Sequence, residues 1–459
     1  MTGPCTPVAG QEAPASALSP EAASPSSHWR RLLADAQPLV ERGRVVQAFG
    51  TTLHVSGLTA RIGQPCRIID PQHPQHTVLR AEVIGLADGH AILAPLGDLR
   101  GVGVGAEVEL LDSAARIPCG RGLLGRVVDA WGEPLDGRPL PPGLPWQPLR
   151  GASPNPMART PVRQPFATGV RAIDAALTVG VGQRVGVFAM AGGGKSTLLS
   201  MLARGALCDV NVIGLIGERG REVREFIEDG LGPEGLARSV VVVATSDRPA
   251  LERVRAAEAA TALAEGLRAE GAQVLLMMDS VTRYARALRE VGLAVGEPAV
   301  RRGYPPSVFA EMPRLFERAG NDAVGAITAF YTVLAEDEDG SDPVAEEVRS
   351  ILDGHIVLSR ALGAAGHYPA IDVLASASRV FQRVTAPGHQ TAARELRALL
   401  ARHAEIKFLL QVGEYKPGSD AMADRAIERM PAIDTLLQQH PDDSTPLGET
   451  VARLQALMA

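Results

Sequence analysis

The sequence predicts a three-part α/β protein: a largely parallel sheet wrapped by helices, preceded by a small β-barrel and followed by a helical domain. Three observations predict it. The strand-like run Arg184-Val185-Gly186-Val187-Phe188 leads through a glycine-rich loop into the helix-like run Thr197-Leu198-Leu199-Ser200-Met201-Leu202. Beyond it, apolar runs of strand length alternate with stretches of helical spacing, the pattern of parallel strands joined by crossover helices. Short β-like runs crowd the segment before it, and only helical periodicity remains after about residue 390.

Residues 1–27 are rich in Ala, Pro and Ser with no basic residue, and read as a flexible tail. Residues 28–111 read as the barrel. Its strand candidates are Arg44–Ala48, Thr52–Val55, Cys66–Ile69 and Leu79–Ile84, separated by Gly- and Asp-containing turns. Residues 112–390 form the α/β region, entered through a proline-rich passage from Pro139 to Pro165. Val210–Ile216, Ser239–Ala244 and Gln273–Met278 are its buried strands, and Ala250–Arg268 has helical spacing. Residues 391–459 form the helical domain. Leu396, Leu399, Leu400, His403, Ile406 and Leu410 line one helical face, and Ile427, Met430, Ile433, Leu436 and Leu437 line a second. Lys416-Pro417-Gly418 marks the turn between them, and Thr445-Pro446 is expected to cap a short last helix.

Composition narrows the function. A net charge of -6 supplies no general attraction to nucleic acid, and 4% aromatic residues are too few for a base-stacking surface. No run approaches bilayer length, and the N-terminus has no basic start followed by an apolar core, so nothing reads as a Sec signal. Cys5, Cys66, Cys119 and Cys208 are widely spread, which favours unpaired thiols in a reducing compartment over a disulfide or zinc site.

The chemistry concentrates in Ala189-Met190-Ala191-Gly192-Gly193-Gly194-Lys195-Ser196. Strand, glycine loop, Lys-Ser and helix form a triphosphate cradle. Glycines let backbone N–H groups turn toward phosphate oxygens, and the new helix adds unpaired amides and the positive end of its dipole. Ala191, Gly192, Gly193, Gly194, Lys195, Ser196 and Thr197 are therefore the nucleotide-binding candidates. Lys195 would reach the β- and γ-phosphates, and the Ser196 hydroxyl would hold Mg²⁺. Lys195, Lys407 and Lys416 are the lysines among 46 Lys+Arg residues, so a lysine here stands out against an arginine background. Ala189 replaces the first glycine of the usual pattern, at a strand end where a methyl group is tolerated.

Hydrolysis needs more than a phosphate loop. Asp279 ends an apolar strand, the place for a carboxylate that holds the Mg²⁺ hydration shell, although it is also placed to cap the helix that follows. Glu218, after Ile213–Gly217, is placed either to polarise an attacking water or to sit in a charged surface loop.

Several blocks together resemble the ATPase of bacterial type III secretion systems, a homologue of rotary ATP synthase catalytic subunits. They are Gly169–Asp174, Gly182–Arg184, Gly217–Val223, Asp279–Ala285, Arg302–Phe309, Ile351–Arg360 and His367–Asp372, so the similarity runs from about residue 30 to the end. The resemblance implies a P-loop (RecA-like) core that hydrolyses ATP with Mg²⁺. It makes Glu218 the catalytic carboxylate, Asp279 the Mg²⁺-associated aspartate and Arg379 an arginine finger serving the neighbouring subunit. Arg219 and Arg283 match positions near the phosphates, and Tyr368 matches a ring packed against adenine, its alternative being a core tyrosine. A homohexamer is implied, docking chaperone–substrate complexes on its helical domain, with stator and stalk partners and no nucleic acid. It would be cytoplasmic, reaching the inner membrane through partners. Glu346-Glu347-Val348-Arg349-Ser350 resembles the injectisome branch more than flagellar export relatives. The competing readings are a flagellar export ATPase, a rotary ATPase subunit, an RNA-translocating hexamer and a nucleotide-binding regulator without turnover.

Overall fold

The computed structural model describes residues 41–70, 73–111, 115–190, 192–335 and 342–459; the expected tail and Ala191 lie outside them. The first element is a closed six-stranded barrel in the order Arg42–Phe49, Thr52–Ser56, His90–Leu96, His73–Ala87, Pro65–Asp70 and Glu107–Leu110. It closes because the first strand pairs antiparallel with the last, Gly43 opposite Val108. Val45, Leu53, Val55, Cys66, Ile68, Ala81, Val83, Leu93 and Val108 fill its interior, the inward half of a period-two pattern.

The second element is a nine-stranded sheet. Its main path runs Ile371–Ser378, Gly354–Leu358, Arg184–Ala189, Ala326–Leu334, Gln273–Asp279, Val210–Ile216, Ser239–Ala244 and Arg126–Val128. Val210–Ile216, Ser239–Ala244 and Gln273–Asp279 are almost continuously apolar because helices cover both faces. On one face Ala250–Ala269 packs its small residues against Val212, Leu276 and Met278; on the other, Leu198, Leu199 and Leu202 pack against Ile213, Val241 and Met277. Neighbours on this path are parallel except for Ile371–Ser378, which runs antiparallel at the edge. Arg184–Ala189 is flanked by Ala326–Leu334 and Gly354–Leu358, so the loops at its C-terminal end open onto a crevice where ligands bind in such sheets.

The third element packs helices Pro387–Gln411, Ala421–Leu437 and Leu447–Met458 together. Leu396, Leu399, Ile406, Ile433, Leu436 and Leu437 of the two expected stripes are buried, whereas Leu400, His403, Leu410, Ile427 and Met430 are half-buried. One detail differs from expectation. Thr445 does not cap the last helix with its side chain; its N–H donates to the Gly169 carbonyl at 3.1 Å and its hydroxyl accepts from Arg171. Among the described residues, no helix is long and apolar enough to cross a membrane.

Candidate functional site

The glycine loop leaves the sheet at Ala189, the last residue of its strand, and Lys195 opens the helix Lys195–Gly205. Gly192 and Gly194 take φ of +78° and +81°, which L side chains rarely adopt. A β-carbon on Gly193 would stand 3.1 Å from the Met190 carbonyl, so close backbone approach also fixes this glycine. The Ser196 and Thr197 side chains remain exposed at the mouth.

Three strand ends converge on this loop. Lys195 Nζ lies 2.5 Å from Asp279 Oδ1 and 3.4 Å from Glu218 Oε1. Asp279 is the final residue of its strand and nearly buried; the same Oδ1 accepts the Thr332 hydroxyl at 2.8 Å. The capping alternative for Asp279 is overturned, because Ser280 accepts from the Arg283 amide and starts the helix Val281–Ala294. Glu218 is 7% exposed, not a surface-loop residue. Its strand ends at Ile216, and Gly217, at φ +70°, turns the chain so that Glu218 points back to the loop. A β-carbon on Gly217 would stand 2.8 Å from Arg283 Cδ, so glycine there lets the arginine lie against Glu218.

Arg283 Nη2 donates to Glu218 Oε2 at 3.4 Å, while its buried Nε, 3.3 Å from Oε1, finds no aligned acceptor. Burial pushes the Glu218 carboxyl above its ordinary value; Lys195 opposes this, Asp279 adds to it and Arg283 opposes it again. Such a carboxylate holds a proton more readily than an exposed glutamate, as a general base needs.

Arg219 is not drawn into this cluster: it is exposed and pairs with Glu222 at 3.1 Å. Tyr368 is 44% exposed, so the core alternative fails for it. Its ring lies against the loop, 3.8 Å from where a Gly194 β-carbon would be. Beside it opens a pocket of ≈ 690 Å³ whose walls include Thr197, Tyr368, Gln438, His440 and Pro441. Arg379 stands elsewhere. Leu358 pairs with Ile371 and Gly354 with Ser378, so the edge strand starts beside the loop and carries Arg379 to the opposite end of the sheet. At about 3.3 Å per residue that is roughly 15 Å or more away.

Sequence reasoning missed Thr332 on Asp279 and the Gln439 side chain, whose Oε1 accepts the Arg171 amide at 2.8 Å. Neither has a local signature, since each joins residues distant in sequence.

The comparisons follow this anatomy. Residues 41–112 match the β-barrel domain of the ATP synthase alpha/beta family, and residues 169–378 match the nucleotide-binding domain of that family. Residues 385–456 match the T3SS EscN ATPase C-terminal domain. A type 3 secretion system ATPase of Xanthomonas euvesicatoria is 54% identical over 90% of this chain and 93% of its own length. This chain belongs to the type 3 secretion system ATPases. The flagellum-specific ATP synthase of Bacillus subtilis is also related, at 48% identity over 90% of this chain and 94% of its own. The assembled ATPase EscN of enteropathogenic E. coli, in complex with its central stalk EscO, superposes with a TM-score of 0.83 at 45% identity, covering 91% of this chain and 100% of that one. This type 3 secretion ATPase thus shares barrel, nucleotide-binding and helical parts with its relatives.

Proposed function

We propose that this ATPase works as a hexameric ring that hydrolyses ATP between subunits and uses the energy at the cytoplasmic face of a type 3 secretion apparatus, releasing chaperones from and unfolding export substrates. The observation that carries the hydrolytic reading is Lys195 Nζ within reach of both Glu218 and Asp279 at the mouth of the glycine loop. The unmatched Arg283 Nε supports an anionic ligand there, because a buried guanidinium N–H without an acceptor costs stability until one arrives. Gly192, Gly193 and Gly194 would turn backbone amides to the phosphates, and Tyr368 would pack against the base.

The donor set suits Mg²⁺. Ser196 and Asp279 offer hard oxygens, and no group of three or more His, Cys, Asp or Glu able to hold a metal occurs among the described residues. That fits an ion held by one or two protein oxygens together with substrate phosphates and water. Bound there, Mg²⁺ would neutralise charge on the phosphate oxygens. Lys195 then exchanges its carboxylate partners for the phosphates. Glu218, freed from Lys195, orients the attacking water and accepts its proton. Arg379, remote from its own loop, would stabilise the γ-phosphoryl charge in the adjoining subunit. The protein has no need of nucleic acid for this, and stalk, stator and membrane contacts come through the assembly, as the EscN–EscO complex suggests for its own partner.

The test is ATPase rate against protein concentration, read beside mass in solution. Turnover per subunit is expected to collapse on dilution below the assembly range. Arg379→Ala is expected to keep ATP binding but to lower kcat by about 10³-fold or more. Constant turnover on dilution, or equal losses in binding and kcat, overturns the trans arrangement.

A further inference from the structure

Arg379 and Arg349 share an unusual environment. Arg379 Nη2 donates to the Arg349 carbonyl at 3.1 Å, and Nη1 lies 3.5 Å from the Ser350 carbonyl. Those carbonyls end the helix Pro343–Ile351, whose start is capped by Asp342 accepting from the Val344 amide at 2.8 Å. The negative end of the helix dipole therefore faces the guanidinium. No carboxylate among the described residues forms an ion pair with Arg349 or Arg379.

The Arg349 side chain turns the other way. Its guanidinium lies 4.8 Å from the centre of the Phe188 ring. Phe188 is buried in the strand Arg184–Ala189, one residue before the strand gives way to the phosphate loop. The same strand reaches Arg379 from its other end. Asp353 accepts the Arg184 amide at 3.2 Å and Arg184 Nε at 3.0 Å, and the Asp353 carbonyl accepts the Arg379 amide at 3.0 Å. The finger's main chain is thus pinned to the start of the loop strand, and its guanidinium is steered from the strand's far end through Arg349.

We propose that Arg349 is a positioning residue for the arginine finger, clamped on Phe188 of the strand that carries its own subunit's phosphate loop and holding Arg379 for the next. The inference rests on the trans role of Arg379. It adds that the aim of each finger depends on the strand that feels its own nucleotide, so neighbouring sites are coupled. A cation over an aromatic ring contributes the clamp, and a guanidinium misplaced by about an ångström is enough to lose a large part of its effect.

The experiment uses the full chain assembled as a ring, with Arg349→Gln, Arg349→Lys and Arg379→Ala in parallel. Mass in solution, ATP affinity, kcat, KM and the Hill coefficient are measured for each. Arg349→Gln is expected to keep ring mass and affinity, to lower kcat about tenfold with KM little changed, and to bring the Hill coefficient toward unity. Arg349→Lys, which keeps a cation over Phe188, is expected to recover most of the turnover. Unchanged kcat and Hill coefficient in Arg349→Gln, with Arg379→Ala inactive, overturns the inference while leaving the trans finger in place. Equal losses in the Gln and Lys variants, or loss of the ring itself, also overturn it. Full turnover in Arg379→Ala instead overturns the reading on which it rests.

Discussion

The nucleotide-binding part of this protein meets its two flanking parts through seams of opposite character. Toward the barrel the seam is built of buried charge. Glu82 of the barrel and Arg255 of the helix Ala250–Ala269 pair with side chains 4% and 1% exposed, and Arg150 bridges Glu82 at 3.3 Å to Glu258 at 2.9 Å. Arg255 also lies 4.3 Å from the centre of the Trp131 ring. Toward the helical part the seam is a shared apolar core, in which Ala172 and Ile173 lie in one buried cluster with Leu396, Ile433, Leu436 and Leu454, edged by arginine and glutamine hydrogen bonds. Arg171 Nε donates to the Leu436 carbonyl at 2.9 Å, Gln439 Nε2 to that of Gly169 at 2.8 Å, and Arg204 Nη2 to that of Pro441 at 2.8 Å. Gln439 N–H also donates to the Tyr368 carbonyl at 2.9 Å, which ties this seam to the pocket beside the phosphate loop.

The contrast teaches where a single substitution is costly. Removing one partner at the first seam leaves its counter-charge buried and uncompensated, at a cost of several kcal/mol. Removing one hydrogen-bonding side chain at the second costs about 1 kcal/mol for each bond lost, because the apolar core beneath it stays in place. The first seam is therefore the more sensitive of the two to a single substitution.

The largest effect that would sharpen this contrast is Glu82→Gln. It leaves Arg255 and Arg150 short of a counter-charge and should lower stability by about 3–5 kcal/mol in urea unfolding. Replacing both Glu82 and Arg255 with apolar residues should restore much of that loss. If Glu82→Gln unfolds like the native chain, the first seam is no lock. Gln439→Ala should cost less, about 1–2 kcal/mol, and should raise KM for ATP more than it alters kcat. A kcat loss without a change in KM would separate that seam from the base pocket.

The smallest effect is a displacement in pH. Glu218 must be ionised to accept a proton, and its folded value is raised by burial, so kcat should fall as pH drops through a range above that of ordinary carboxylates. Arg283→Gln removes a cation that holds Glu218 down and should move this acid limb further up. An acid limb at the usual glutamate range would mean that Glu218 is not the base.

Much of this was legible in the residues because it is local. Val210–Ile216 and Ser239–Ala244 are strands over the ranges that their apolar runs mark, and Lys195 stands where strand, glycines and helix meet. Asp279 was ambiguous because a strand end and a helix start occupy adjacent residues, and only the Ser280 hydroxyl separates the two roles. Glu218 was ambiguous because its burial depends on a turn at Gly217 that makes room for Arg283. Arg219 shows the converse: sequence adjacency to Glu218 does not bring its guanidinium into the cluster. The two seams left no pattern to read, since their partners lie far apart along the chain.

At the sheet edge the antiparallel strand Ile371–Ser378 returns the chain from the loop's end of the sheet to the other end. On the proposed trans role of Arg379 it would give each copy a receptive end bearing the loop and a donating end bearing that arginine, like the socket and plug of a cable. Two copies related by a twofold axis would set socket against socket or plug against plug. Only a head-to-tail arrangement joins unlike ends, and only when such a chain of copies closes on itself is none of them left with a vacant socket.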